Sequence, residues 1–147
     1  MATIRTVKKR FARLDVYQVA MDVLVKEKNR VIDLNLDQLK KGYTKFGGRL
    51  AEYKSDSYAW SKNIQNPEAG YGNPDLNRTG EFWKKFRLVV NSHIEYEIFS
   101  SDSKAHSLER KYGDENIYGM GEDSKDEFIR NGYRSLFYAA IRKKVKL

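Results

Sequence analysis

The residue types that most often do chemistry are few in this chain, and their spacing does not suit it. His93 and His106 are its two histidines. One falls in an expected turn and the other on an expected short helix, and no histidine pair has metal-ligand spacing. Gly47-Gly48, Gly70-Tyr71-Gly72 and Gly119-Met120-Gly121 match neither GxGxxG nor GxxxxGK[ST], so they read as turns and not as phosphate cradles. There is no HExxH and no GxSxG elbow. Glu95 and Glu97 are a carboxylate pair of the kind that does acid–base work, but strand alternation puts both on a wet face. With no cysteine, disulfides, iron–sulfur clusters and thiolate zinc sites are excluded. The expectation is a protein without catalysis, cofactor or metal.

Aromatic and basic residues do interleave, at Tyr43/Lys45, Tyr53-Lys54, Trp60/Lys62 and Trp83-Lys84-Lys85. Such pairs can stack bases beside phosphate-binding charge. They are more often what a core aromatic beside a solvated lysine looks like, and no helix-turn-helix or RNA-binding signature accompanies them. The net charge of +8 is unevenly spread. Residues 1–30 hold eight Lys/Arg and three Asp/Glu, residues 128–147 hold six and none, and residues 31–127 hold fourteen against seventeen. The basic ends, with Lys8, Lys9, Arg10 and Arg13 at one and Arg142, Lys143, Lys144 and Lys146 at the other, are candidate contacts for DNA or for an acidic partner surface.

The elements that must position these residues follow from periodicity. From Thr6 to about Asn29 there is no Pro or Gly, and Val7, Phe11, Leu14, Tyr17, Met21 and Leu24 recur at helical steps. Val16, Val19 and Val23 add a second apolar stripe, as in a helix buried on two sides. Asp15 is placed to cap a new start within this segment, and the first dozen residues read as a mobile basic arm. A short helix at Asp33–Gly42 and a hairpin-like loop at Tyr43–Tyr53 come next. Ser55 or Asp56 then caps a helix with Tyr58 and Trp60 or Ile64 facing inward. Residues 66–74, with both prolines, form a long loop.

Thr79 is a good N-cap for a turn carrying Phe82, Trp83 and Phe86, which are too apolar to leave in water. Phe86, Leu88 and Val90, and on the return Ile94, Tyr96 and Ile98, alternate with other residues about Asn91-Ser92-His93. That is a β-hairpin with one buried face, on whose wet side Arg87 is expected opposite a glutamate. A short helix from Lys104 to Tyr112 stops at Gly113. After a loop, Asp123-Ser124 caps a last helix, about Lys125 to Lys144, burying Ile129, Tyr133, Leu136, Phe137, Ala140 and Ile141.

At 147 residues, with 40% hydrophobic and 13% aromatic content, the chain fits one α+β domain, 1–147: a long N-terminal helix, a central β-hairpin or small antiparallel sheet, and a C-terminal helix. A mean hydropathy of −0.75 suits a modest core supplemented by subunit contacts. No apolar run is long enough for a membrane span or a signal-peptide core, so the expected place is a cytoplasm, or an assembly that leaves it.

The order of these pieces resembles a known family. A helix and loop lead to Thr79-Gly80-Glu81-Phe82, then a hairpin, then a short helix closing on Tyr112-Gly113, a loop, and Phe128-Ile129-Arg130 opening a final helix. This is similar to the neck proteins of tailed bacteriophages, the tail-completion or head–tail connector family related to virion-morphogenesis proteins. The resemblance covers about residues 75–145. The chain departs from the family pattern at Trp83-Lys84-Lys85, where a small polar residue is usual, and at Asn131-Gly132, where a proline is frequent. Gln38-Leu39-x-x-Gly42 resembles a related group of phage proteins.

What the resemblance implies is a structural virion protein, assembled in the host cytoplasm, that forms part of a ring at the portal–tail junction or completes the tail. Its partners would be copies of itself, together with portal, adaptor or tail proteins, and genomic DNA passing through the ring. The hairpin and first helix would supply subunit contacts, with Phe11, Leu14, Met21, Thr79, Gly80, Phe82, Trp83 and Val89 as candidates. The alternative is a phage-encoded basic nucleic-acid-binding protein.

Overall fold

The computed structural model describes residues 3–92 and 94–147; His93 and the first two residues of the expected arm lie outside them. Helices α1 (Ile4–Ala12), α2 (Val16–Lys26) and α3 (Lys28–Lys40) replace the single long N-terminal helix expected from Thr6 to Asn29. The reason for the first break is local: the Asp15 carboxylate accepts a bond from the Gln18 N–H at 3.0 Å and caps α2. The second falls at Glu27, whose backbone (φ −97°, ψ 11°) leaves the helical region. The α3 helix then absorbs the short helix expected at Asp33–Gly42, starting five residues earlier.

Helix α4 (Asp56–Gln65) is capped by Ser55, whose hydroxyl accepts from the Tyr58 N–H. A 3-10 turn, Pro67–Ala69, opens the loop that returns to Asp75. The one-turn α5 (Glu81–Lys84) is entered through Gly80 at φ 82°, a left-handed conformation in which a Cβ is strained. Gly80, and not Thr79, is therefore the cap residue. The Thr79 hydroxyl accepts only a long 3.4 Å bond from the Glu81 N–H.

Strands β1 (Phe86–Ser92) and β2 (Glu95–Ser100) pair antiparallel. Phe86 faces Ser100, Leu88 faces Ile98 and Val90 faces Tyr96, with a register irregularity between Val90 and Ser92. The buried face is the expected one at the hairpin base, where Phe86, Leu88 and Ile98 enter the core. The tip is different: Val90 and Ile94, expected inside, are exposed. Arg87 pairs with Phe99 and not with a glutamate. Its guanidinium turns back to donate to the carbonyls of Lys84 and Phe86 at 3.1 and 2.8 Å.

Helix α6 (Ala105–Tyr112) ends at Gly113, and α7 (Asp114–Ile117) is a single turn within the expected loop. The last helix is not continuous. Helix α8 (Glu122–Phe128) begins at Glu122, earlier than the expected Asp123-Ser124 cap, and α9 (Arg134–Val145) follows a kinked π turn, Ile129–Tyr133. Gly132 makes the kink possible with φ 141°, and Arg30 braces it by donating to the carbonyl of Asn131 at 2.7 Å. Phe128-Ile129-Arg130 is thus the end of one helix and the start of a bend.

The core gathers Met21, Leu24, Val31, Leu39, Phe82, Phe86, Leu88, Ile98, Ile117, Met120 and Phe128 between α2, α3, α8 and one face of the hairpin. Helix α9 packs on α2 and α1 and sinks only Val145 fully; Ile129 and Leu136, expected inside, stand exposed. The result is a small α+β domain with a C-terminal helix.

Candidate functional site

Packing brings the two basic ends of the chain together. Helix α1 lies against α9, and the Arg10 guanidinium donates to the Val145 carbonyl at 3.1 Å, closing one of the orphan acceptors at the end of α9. Residues 3–13 and 134–147 carry ten Lys/Arg (Arg5, Lys8, Lys9, Arg10, Arg13, Arg134, Arg142, Lys143, Lys144, Lys146) and no Asp or Glu. Among the described residues none of these ten has a carboxylate within ion-pair distance. All eight basic residues singled out in the sequence lie in this one region, half-buried at Arg10 and exposed at the other seven. Sequence showed two separate basic termini; that they make one surface depends on the α1–α9 contact.

The candidate subunit contacts divide in three. Met21 and Phe82 are interior: Phe82 stacks edge-on against Phe86 at 5.2 Å and faces Tyr118 at 6.4 Å, so both residues serve the core of the folded chain. Gly80 and Leu14 are half-buried, and Trp83 packs against the core with its indole N–H donating to the Asp75 carbonyl at 3.1 Å. Phe11, Thr79 and Val89 are exposed. Further apolar side chains stand outside on the same helical layer: Ile4 on α1, Val16, Tyr17 and Val25 on α2, and Leu136 and Tyr138 on α9.

Behind Thr79 lies a polar knot that sequence reasoning missed. Helix α4 turns Ala59 and Lys62 inward, while Trp60 and Ile64, the alternatives expected to face inward beside Tyr58, are 63% and 62% exposed. The Lys62 ammonium meets the Asp75 carboxylate at 2.9 Å and donates to the Asn77 carbonyl at 2.6 Å. Asp75 also accepts from the Asn77 N–H and from the Asn66 side-chain amide, both at 2.9 Å. Asn66 in turn donates to the Lys40 carbonyl at 2.7 Å, so the knot joins α3, α4 and the 74–83 segment. A second clasp fixes the glycine-rich loop. The Asn35 amide donates to the Ile117 carbonyl and its oxygen accepts from Gly119 N–H, both at 2.9 Å, while Gln38 accepts from Gly121 N–H at 2.8 Å. Two polar residues one helical turn apart and facing the core are the signal that could have revealed it.

Beside the knot, between the start of α4, the 74–82 segment and α6, is a cavity of about 660 Å³. Its wall is Tyr53, Tyr58, Leu76, Phe82, Leu108 and Tyr112. Tyr53 and Tyr58 meet edge to face at 4.9 Å. Burial, and secondarily the Asp75 charge, push the Tyr53 hydroxyl well above the ordinary tyrosine range, so it stays a neutral group. Of the aromatic–basic pairs noted in the sequence, Tyr53-Lys54 lies here. Trp60/Lys62 is inverted, with the lysine buried and the tryptophan outside.

Among the described residues no group of three or more His, Asp or Glu is arranged to hold a metal ion, and no helix is long and apolar enough to cross a membrane. Comparison with family models, with curated proteins and with solved structures finds no match to this chain.

Proposed function

We propose that the chain is a non-catalytic structural protein of a tailed-phage particle, a ring-forming subunit at the head–tail junction or tail end. The observation that carries this is the apolar surface left outside by folding. Helix α9 buries only Val145 completely, and large apolar side chains stand exposed on α1, α2 and α9 and at the hairpin tip through Val89, Val90 and Ile94. Apolar exposure on packed helices and on a projecting hairpin is what subunit association covers. The order of motifs from Thr79-Gly80 through the hairpin to Tyr112-Gly113 supports the same reading, although Phe128-Ile129-Arg130 does not open the last helix.

Native mass spectrometry of the purified chain tests it, together with probing of particles for the protein. The expected outcome is a concentration-dependent ring that weakens when Val89 or Tyr138 is changed to Asp. A chain that stays monomeric at high concentration and is absent from particles would overturn it.

The α1–α9 surface favours an alternative, a nucleic-acid-binding protein, because ten cations without an acid attract phosphates. It calls for DNA or RNA affinity that falls steeply with added salt.

A further inference from the structure

We propose that the cavity between α4, α5 and α6 binds a nucleoside phosphate, its base against the tyrosine wall and its phosphate on a cationic rim. The rim is the decisive feature. Five cationic side chains, Lys54, Arg78, Lys85, Lys104 and Lys111, line the cavity against two acids, Glu81 and Asp102. Both acids are already engaged: Lys85 holds Asp102 at 2.9 Å and Lys84 holds Glu81 at 3.2 Å. Asp102 also accepts from the Lys104 backbone N–H at 2.9 Å. Among the described residues the side-chain nitrogens of Lys54, Arg78, Lys104 and Lys111 have no carboxylate within ion-pair distance. Four cations without an ion-paired carboxylate along one cavity, with Lys111 resting over the Tyr112 ring at 5.0 Å, are more charge than a single carboxylate requires, and suit a phosphate.

The interior supplies the rest. Tyr53, Tyr58 and Tyr112 offer aromatic surface of the kind on which a flat base stacks. Asn77, Thr79 and Ser103 place amide and hydroxyl groups on the same lining, able to meet a base edge. The volume falls within the range of small organic ligand sites. The hollow is formed within the isolated chain, as a small-molecule site requires. Lys62, which backs the site through Asn77, is committed to Asp75 and takes no part.

The nucleotide unit can arrive free or within a single strand, and the test separates the two. Deoxyadenosine monophosphate, deoxyadenosine and a short single-stranded oligodeoxyadenylate are titrated separately, by calorimetry and by the shifts of tyrosine ring resonances. Saturable binding of the monophosphate is expected, at least tenfold weaker for the nucleoside and for Arg78→Glu or Lys104→Glu, and unchanged for Lys26→Glu on α2. Arg78 and Lys104 are exposed, so charge reversal there leaves the fold intact, as circular dichroism will check.

If only the oligonucleotide binds, with the same dependence on Arg78 and Lys104, the ligand is a strand. The proposal is overturned if nothing saturates the site. It is equally overturned if Lys143→Glu/Lys144→Glu abolishes binding while Arg78→Glu does not, or if an Asp/Glu-rich peptide carrying phenylalanine binds there more tightly than the nucleotide. The proposal does not rest on ring assembly: a monomer that binds, or a ring that does not, tells the two apart.

Discussion

Replacing Asp75 with Asn should be among the most damaging single changes in the chain. The carboxylate is 2% exposed and the Lys62 side chain 8%. Removing the charge from Asp75 leaves an ammonium in the interior with neutral acceptors alone, the Asn77 carbonyl at 2.6 Å and the oxygen of the new amide. Breaking a buried pair in this way costs about 3–5 kcal/mol, because the remaining charge keeps its desolvation penalty without compensation. For a chain of this size that is a fall in Tm of roughly 6–20 °C, at about 2–4 °C per kcal/mol.

Urea unfolding followed by tryptophan fluorescence is the natural assay, since the Trp83 indole donates to the Asp75 carbonyl and senses the knot directly. Lys62→Met alone should cost a comparable amount, as it strands the carboxylate with two neutral donors, Asn66 and Asn77. The double variant removes both charges, so its loss should fall short of the sum of the single losses by roughly 2 kcal/mol. Additivity within about 0.5 kcal/mol would mean the two groups are not coupled. An Asp75→Asn loss under about 1 kcal/mol would refute the reasoning, since it is what a solvated surface pair delivers.

Three further outcomes are expected. The bond from the Lys85 ammonium, and then that from the Lys104 N–H, hold the Asp102 carboxyl below its ordinary value of 3.8. Its contribution is therefore present above that pH and lost as pH falls through the lower folded value, an acid limb in the urea midpoint that Asp102→Asn should flatten. Asn35→Leu strands the Ile117 carbonyl and the Gly119 N–H, at about 1–3 kcal/mol for each buried unpaired group, and amide exchange at Gly119 should accelerate. Gly132→Ala forces a side chain into φ 141° with its Cβ 3.0 Å from the Arg30 guanidinium, so a loss of about 1–3 kcal/mol is expected in thermal melts.

What was legible in the sequence was local. The hairpin and the buried face at its base, the caps at Asp15 and Ser55 and the stop at Gly113 are each written within a few neighbouring residues, and each appears where those residues place it. The inward face of α4 was not legible, because it depends on Asp75, outside the helix and beyond the proline loop. With that carboxylate inside, Lys62 is drawn in and Trp60 and Ile64, at other angles around the helix, turn out. The Asn35 and Gln38 clasps escape for the same reason, since their partners lie more than eighty positions away. So does the joining of the two basic ends, which exists only where α1 meets α9.

The errors share a direction. Phe11, Val16, Tyr17, Val90, Ile94, Ile129 and Leu136 lie on apolar stripes and stand outside, as do both Trp60 and Ile64, one of which is expected inward, while Lys62, Asn35, Gln38 and Asp75 occupy the interior. Periodicity records which side chains gain by leaving water, and is silent on whether the same chain supplies the cover. Where apolar positions obey a burial pattern that the folded chain does not complete, cover from a second copy is the reading proposed above. That imbalance, present on α1, α2, α4, the hairpin tip and the kinked last helix, is the physical ground on which the proposed role in assembly rests.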